Sequence, residues 1–308
     1  MKDKQKYRAS HASSAFQWTN LLYPCLAVVI LTVGPLLSED LNGQKHFSEA
    51  LFEATFAIQA DSCCSGTGFC VSLSDSGPVA FVTARHVLDS LPGDSATLIL
   101  RKRLPDSTWQ FFLFKQAIRK AGKPQYKVHP NPRIDVGAFL LVDPKDSAFT
   151  NDLHPFSREL LAKDDDIRKY WVHPGDEMFF LGYPAQMTSP GNGLFPILRA
   201  GFVSSYPITP LHQHPFIYLD ASIFDGNSGG PVFFEYTASG WNGRLVNRNG
   251  LIVGLISFAV NPEVTLKIDQ TTKKRDIRIA GFYNSEFILE VLDSLAISNS
   301  RVGPARHK

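Results

Sequence analysis

The amino-acid sequence predicts an all-β protein, a barrel or a sandwich, that ends in a single C-terminal helix. Phe, Gly and Pro occur 23, 22 and 20 times among its 308 residues, and this mixture of aromatic and turn-forming residues favours strands over helical bundles. From about Thr55 onward, short apolar runs alternate with turn signals, without internal repeats or low-complexity tracts. One segment, residues 286–295, has the 3.6-residue apolar spacing of an amphipathic helix, with Asn284 or Ser285 as its cap.

The N-terminal region is predicted to be an export segment that lies outside the globular unit. Residues 1–20 are polar with a basic excess, residues 21–37 are apolar without a charge, and Glu39 and Asp40 follow. A basic flank before an apolar run is typical of export segments whose N-terminus stays in the cytoplasm. The length of the run lies between that of a signal peptide and that of a full membrane span. It is therefore an uncleaved anchor in the inner membrane, a cleaved signal peptide or, as a third alternative, a buried core helix.

The globular unit is predicted to follow a polar linker, residues 38–54, and to extend over residues 55–296. Within it, residues 151–171 are charged and are predicted to form a solvated, partly helical insertion. A polar tail, residues 297–308, is too short for a further folded module. Apolar runs bounded by turn residues predict the strands. These strands lie at residues 56–59, 68–73, 79–83, 96–100, 109–114, 136–142, 178–183, 196–204, 216–220, 231–235 and 251–259.

Composition narrows the function classes. The chain has 31 basic and 29 acidic residues and a net charge of +2, unlike the strongly basic profile of a nucleic-acid-binding protein. Its four Cys lack the C-x-x-C spacing of a structural zinc site. His212 and His214 lie two residues apart, but neither a Cys nor a clear acidic partner accompanies them. We therefore expect neither a metal nor another cofactor.

Three of the cysteines lie close together around a Gly-rich turn. In an oxidising compartment Cys70 could pair with Cys63 or with Cys64, or all three could stay unpaired. The fourth, Cys25, lies within the apolar N-terminal run and is expected to act as a small hydrophobic residue. The sequence leaves the choice of partner open.

Three short segments carry, in the order His, Asp, Ser, the parts of a nucleophilic serine site. His86 follows an apolar strand, Asp135 opens a buried strand, and Ser228 lies in a Gly-rich turn. A serine hydroxyl becomes a good nucleophile when an imidazole accepts its proton, and that imidazole needs an acid on its other nitrogen. Because glycines carry no side chain, the Gly-rich turn around Ser228 can also direct the N–H groups of Gly226 and Ser228 at one point, where an oxyanion would develop.

With these segments, the chain resembles trypsin-like serine proteases of the chymotrypsin fold, and among them the bacterial HtrA-type branch. The similarity covers residues 55–293, and its most specific motif is the Gly-Asn-Ser-Gly-Gly-Pro of residues 226–231. Other segments match the family in the same order along the chain. They are residues 66–69, 84–87, 135–138, 174–176, 182–184, 200–204, 219–222 and 254–258.

The resemblance implies two six-stranded β-barrels, about residues 55–150 and 175–296, with the active site between them. It implies that Ser228 is the nucleophile, that His86 is general base and then general acid, and that Asp135 orients His86. The N–H groups of Gly226 and Ser228 would form the oxyanion hole. No PDZ domain is expected, since only the polar tail follows the last helix.

Other matched positions bear on activation and specificity. Asn227 stands where proteases activated by N-terminal cleavage carry Asp, so the buried ion pair of those enzymes cannot form and we expect no such zymogen step. Ser222 corresponds to the floor of the pocket for the residue before the scissile bond, and its lack of charge disfavours Arg or Lys there. Ser257, Phe258 and Ala259 match the strand that pairs with the substrate backbone. Ala259 would narrow the pocket, so small or medium apolar residues are expected.

Together these features predict an exported serine endopeptidase that cleaves polypeptides through an acyl-enzyme, with protein quality control as a candidate role. It would act in the periplasm or another extracytoplasmic space, anchored or secreted. One alternative is a catalytically inactive binding protein of the same fold. Another is esterase chemistry, since residues 226–230 fit G-x-S-x-G. Pro231 leads into a strand, however, and the order His–Asp–Ser differs from that of esterases.

Overall fold

The computed structural model describes residues 46–60, 65–74, 77–141, 153–239, 245–260, 263–268, 271–276 and 279–301. The predicted segments 1–20 and 21–37, together with Cys25, Cys63 and Cys64, lie outside these residues. Within the described ranges, no helix has both the length and the apolar character that a membrane crossing requires. Both halves described below belong to one unit, Gln44–Lys308.

The first half is a helix followed by an antiparallel sheet. Its elements are α1 (Phe47–Ala54), β1 (Thr55–Gln59), β2 (Ser65–Ser72), β3 (Val79–Thr83), α2 (Arg85–Ser90), β4 (Ser95–Arg103), β5 (Trp109–Ala117), β6 (Arg119–Lys120), β7 (Lys123–Pro124), β8 (Lys127–Val128) and β9 (Gly137–Leu140). The strand order is β5-β4-β1-β2-β3-β9-β8, and β10 (Phe156–Ser157) pairs in parallel with β2. Among the described residues this eight-stranded sheet does not close, whereas the resemblance implied a closed six-stranded barrel.

The second half contains the barrel. After a short 3₁₀ turn (Arg158–Leu160) its elements are α3 (Asp164–Lys169), β11 (Glu177–Gly182), β12 (Ile197–Val203), β13 (Phe216–Asp220), β14 (Pro231–Ser239), β15 (Leu245–Val260), β16 (Glu263–Ile268), β17 (Thr271–Asp276), β18 (Ile279–Asn284) and α4 (Ser285–Arg301). A second 3₁₀ turn, Pro184–Gln186, lies between β11 and β12. The closed order β11-β12-β13-β18-β15-β14 is the six-stranded barrel that was expected. The pair β16–β17 forms a separate hairpin, which sequence patterning missed because its residues are largely polar.

Helix α4 packs its apolar stripe against the first half. The side chains predicted for that stripe are all buried: Phe287, Ile288, Val291, Leu292 and Leu295. They share one hydrophobic core with strands of the first sheet. The Asn284 side chain accepts a hydrogen bond from the Glu286 N–H at 3.2 Å, which confirms it as the cap. The C-terminal helix therefore ties the barrel to the sheet.

Two predicted boundaries were wrong. The described part of the expected linker 38–54 is mostly helix α1, in which Leu51 and Ala54 are fully buried. Phe47 packs edge-on against Phe233 of the barrel at a centroid distance of 5.8 Å. The segment thus belongs to the core because its apolar residues fall on one helical face. Similarly, α4 continues to Arg301, beyond the predicted start of the tail at residue 297.

A buried arginine connects the two halves. The Arg101 side chain on β4 is only 3% exposed and lies between the rings of Phe56 and Phe195, 4.4 Å from each centroid. Its guanidinium donates to the carbonyls of Phe52 (2.7 Å) and Leu194 (3.3 Å), to the Thr55 carbonyl and to the Tyr183 hydroxyl (2.9 Å). Arg101 therefore holds the end of α1 and the loop after β11 together.

Replacement of Arg101 by Met is expected to lower the free energy of unfolding by about 2–3 kcal/mol, because buried acceptors lose their donor while the apolar stem is kept. Urea unfolding measures the change. Arg199→Met is the matched control. Arg199 lies against the rings of Phe180 and Phe224, at 5.7 and 5.2 Å. Its loss should cost about 1 kcal/mol or less. Equal costs for both variants would contradict the role given to the Arg101 hydrogen bonds.

Candidate active site

His86 and Asp135 meet because their flanking strands are neighbours in the sheet. His86 lies in the first turn of α2, just after β3, and Asp135 lies just before β9, which pairs with β3. His86 Nδ1 lies 2.6 Å from Asp135 Oδ2, and the His86 backbone N–H donates to Oδ1 at 2.8 Å. When Nδ1–H donates to the carboxylate, the neutral ring keeps its lone pair on Nε2. Half of the His86 side chain is exposed, so it is open to a substrate.

Ser257 of β15 connects this pair with the third predicted residue. Its hydroxyl donates to Asp135 Oδ2, and its carbonyl accepts a hydrogen bond from Ser228 Oγ at 3.3 Å. Ser257 thus contacts Asp135 through its side chain and Ser228 through its backbone. Among the hydrogen bonds of the described residues, none joins Ser228 Oγ to His86 directly. The sequence placed Ser257 only on a substrate strand. Its contact with Asp135 went unpredicted because 122 positions separate the two residues and no local pattern marks the pair.

A second hydrogen bond from the barrel supports the segment that carries Asp135. The Tyr283 hydroxyl donates to the Arg133 carbonyl at 2.6 Å. Burial, and to a smaller extent the negative charge of Asp135, raises the pKa of Tyr283, which keeps the phenol protonated and able to donate. The position of Asp135 is therefore determined by both halves.

The turn that carries Ser228 requires its glycines. Gly226 and Gly229 have φ values of +93° and +88°, in the left-handed region. A Cβ on Gly226 would lie 2.2 Å from the Tyr183 carbonyl oxygen, and one on Gly229 would lie 2.0 Å from that of Thr67. Neither N–H of the pair Gly226 and Ser228 donates to an acceptor within the described ranges. Two free backbone donors two residues apart can bind a developing negative charge.

Asn227 is the residue between Gly226 and Ser228 in this turn, and it is fully buried. Neither its Oδ1 nor its Nδ2 has a hydrogen-bond partner among the residues that the structure covers. Gly182 leaves space for it, since a Cβ there would lie 2.5 Å from Asn227 Oδ1. The expectation that no activating ion pair forms stays a prediction.

The expected substrate strand has one edge that is free for pairing. In β15, Phe258 pairs with Gly281 and Ala259 with Ala280 of β18. On the opposite edge, pairing with β14 ends at Leu255, the partner of Pro231. Ile256 still exchanges backbone hydrogen bonds with Gly229 (2.6 Å) and Gly230 (2.9 Å) on that edge. Beyond Ile256 no backbone group within the described ranges pairs with it, so an extended peptide could add there.

The remaining predicted positions differ in burial and packing. The Phe258 ring packs edge-on against Phe216 at a centroid distance of 5.6 Å. Ser222 is half-buried and directly precedes the buried Ile223. Cys70 is a free thiol in the core, and burial raises its pKa. Within the described residues no group of three metal-ligating side chains occurs.

Comparison with known proteins supports one family. The family described as "Trypsin-like peptidase domain" matches residues 66–238, more than half of the chain. The probable periplasmic serine endoprotease DegP-like of Ectopseudomonas mendocina (strain ymp) is 37% identical over 92 residues. That match covers 30% of this chain and 19% of the relative, so only a small part of the relative is represented.

Solved structures of serine proteases also align with the chain. Protease Anisep from Arthrobacter nicotinovorans has 15% sequence identity and a TM-score of 0.47, over 80% of this chain and 96% of that one. The thermostable serine protease AL20 from an extremophilic microorganism has 12% identity and a TM-score of 0.45, over 80% and 97%.

Proposed function

Because this chain belongs to the family of trypsin-like peptidases, which are serine-type endopeptidases, we propose that His86, Asp135 and Ser228 act as its catalytic triad. The family indicated by the sequence motifs is thus confirmed. The triad is supported above all by the hydrogen bond between His86 and Asp135 and by Ser257, whose hydroxyl donates to Asp135 and whose carbonyl accepts from Ser228.

In the proposed reaction, Ser228 Oγ turns from the Ser257 carbonyl and attacks the carbonyl carbon of the scissile peptide bond. Its proton passes to His86 Nε2, and Asp135 stabilises the imidazolium through Nδ1–H. The oxyanion is held by the N–H groups of Gly226 and Ser228. When the C–N bond breaks, the amine leaves with the proton from Nε2. Water, deprotonated by His86, then attacks the ester carbonyl carbon. The bond between that carbon and Ser228 Oγ breaks, His86 returns the proton to Oγ, and the acid product leaves.

For specificity we propose that Ser257, Phe258 and Ala259 pair with the substrate backbone and that Ser222 lies at the pocket floor. The free edge of β15 supports the pairing, and the absence of a charge on Ser222 supports a preference for small or medium apolar residues before the scissile bond. A peptide-library profile measures this preference. Dominance of Arg, Lys or Phe at that position would contradict it.

We further propose that the protease acts on polypeptides outside the cytoplasm, with quality control as its candidate role. The apolar run at residues 21–37 supports export, and so does the similarity to a relative named periplasmic. An uncleaved run would anchor the chain in the inner membrane, and cleavage would release it. The mass of the mature protein, compared with 34.2 kDa for the full chain, separates the two.

The test of the triad is covalent labelling with a fluorophosphonate, in which Ser228 Oγ displaces fluoride from phosphorus. We expect the wild type to be labelled at Ser228 and to cleave casein, and Ser228→Ala to do neither. Ser294→Ala, which removes an exposed hydroxyl on α4, is the control and should keep both activities. Absence of wild-type labelling would favour an inactive binding protein. Labelling without casein cleavage would favour other acyl chemistry.

A further inference from the structure

One residue of the first half contacts both ends of the Ser228 turn. Thr67 on β2 is fully buried. Its N–H donates to the Ser228 carbonyl at 2.8 Å, and its Oγ1–H donates to the Gly226 carbonyl at 2.6 Å. The same Oγ1 accepts a hydrogen bond from the Tyr183 N–H at 3.2 Å. Thr67 therefore uses its backbone and its hydroxyl on the two residues whose N–H groups form the proposed oxyanion hole.

These contacts restrict rotation of the peptide groups in the turn. A peptide group is planar, so its carbonyl and its N–H turn together. The Ser228 N–H shares its peptide group with the Asn227 carbonyl, which accepts from the Gly230 N–H at 3.0 Å. The peptide groups on either side of it carry the Gly226 and Ser228 carbonyls, both of which accept from Thr67. The Gly226 N–H shares its peptide group with the Asp225 carbonyl, which accepts from Ala185 at 2.7 Å. Without the hydroxyl of Thr67, the carbonyl of the left-handed Gly226 would keep only the Tyr183 N–H as a donor, at the long distance of 3.4 Å.

The partners of Thr67 are themselves held in place. Thr83 Oγ1 donates to the Thr67 carbonyl at 2.6 Å. The Tyr183 hydroxyl, which burial keeps protonated by raising its pKa, accepts from Arg101 at 2.9 Å. Thr67 thus connects rigid parts of both halves.

The side chain within the turn does not supply this support. The Asn227 amide is uncharged, and its two buried polar atoms have no hydrogen-bond partner among the described residues, so this side chain does not anchor the turn. We propose that Thr67 is a positioning residue that keeps the oxyanion hole formed, in place of a buried ion pair at Asn227. This inference rests on the proposed function.

Three variants of the full chain test it, with p-nitrophenyl butyrate as substrate. Thr67→Val keeps the shape and removes the hydroxyl, and we expect kcat to fall about 10–100-fold with KM within about twofold, since loss of oxyanion-hole alignment acts on the transition state. Thr67→Ser keeps the hydroxyl and should restore kcat to within about threefold. Thr55→Val is the matched control, because the Thr55 hydroxyl is buried on β1 and has no partner among the described residues. It should leave kcat unchanged.

The outcomes separate the two proposals. A wild type that is neither labelled by a fluorophosphonate nor active on the ester overturns the proposed function. If the wild type is active but Thr67→Val keeps the wild-type kcat, or differs from it only in KM, the role of Thr67 is overturned and the proposed function is not. If Thr67→Val does not fold, Thr67→Ala, which also removes the hydroxyl, is measured. A wild-type kcat in folded Thr67→Ala would likewise overturn the inference.

Discussion

Replacement of Asp135 by asparagine is expected to lower kcat about 10⁴-fold while the protein stays folded. The carboxylate accepts hydrogen bonds from His86 N–H, from His86 Nδ1–H and from the Ser257 hydroxyl. An amide has a single oxygen, so its NH₂ group would face either the His86 backbone N–H or both Nδ1 and the Ser257 hydroxyl. If it faces Nδ1, the proton of His86 moves to Nε2, and the imidazole can no longer accept the proton of Ser228.

The measurement is kcat for ester hydrolysis, together with the rate of fluorophosphonate labelling. Asp89→Asn is the matched control, because Asp89 lies on the same helix, α2, and accepts hydrogen bonds from Arg85 (3.0 Å) and Tyr126 (2.9 Å) at the surface. We expect its kcat to stay within about threefold of the wild type, as for surface changes in general. A near-normal kcat for Asp135→Asn would mean that another acid orients His86.

Replacement of Asn227 by aspartate is expected to destabilise the protein in a pH-dependent way. The site is fully buried, and no cation contacts the amide within the described ranges. Burial raises the pKa of a carboxyl above its ordinary value of about 3.9. The variant should therefore be least destabilised below that pH, and the penalty should grow as the pH rises through the raised pKa. At pH 8 it should reach several kcal/mol.

Urea unfolding at pH 5 and pH 8 measures this difference between Asn227→Asp and the wild type. Asn192→Asp makes the same change at an exposed position, and its effect should stay within about 0.5 kcal/mol at both pH values. A penalty that does not grow with pH would contradict the expectation. If Asn227→Asp were more stable than the wild type at pH 8, a cation would have to pair with the new carboxylate. That result would contradict the expectation that this protein has no activating ion pair. Activity that appears only after a cut near residue 55, detected by N-terminal sequencing, would contradict it independently.

Short stretches of sequence were sufficient to predict the candidate triad, the glycines of its turn and the apolar stripe of α4. His86, Asp135 and Ser228 each stand in a recognisable local setting, and the left-handed φ at Gly226 and Gly229 is of the kind that glycine adopts. The stripe of α4 follows from the 3.6-residue period of a helix. Each of these features depends on residues that are close together in the sequence.

The tertiary structure alone revealed the contacts that align this site. Ser257 reaches Asp135 across 122 positions of sequence, and Thr67 reaches Gly226 across 159. Helix α1 likewise belongs to the core although the sequence there was interpreted as a linker. A buried hydroxyl or guanidinium is stabilised by whichever acceptors the folded chain brings to it. The sequence near such a residue has no periodicity or motif that identifies those acceptors. The role of the residue is therefore decided only when distant strands pack together.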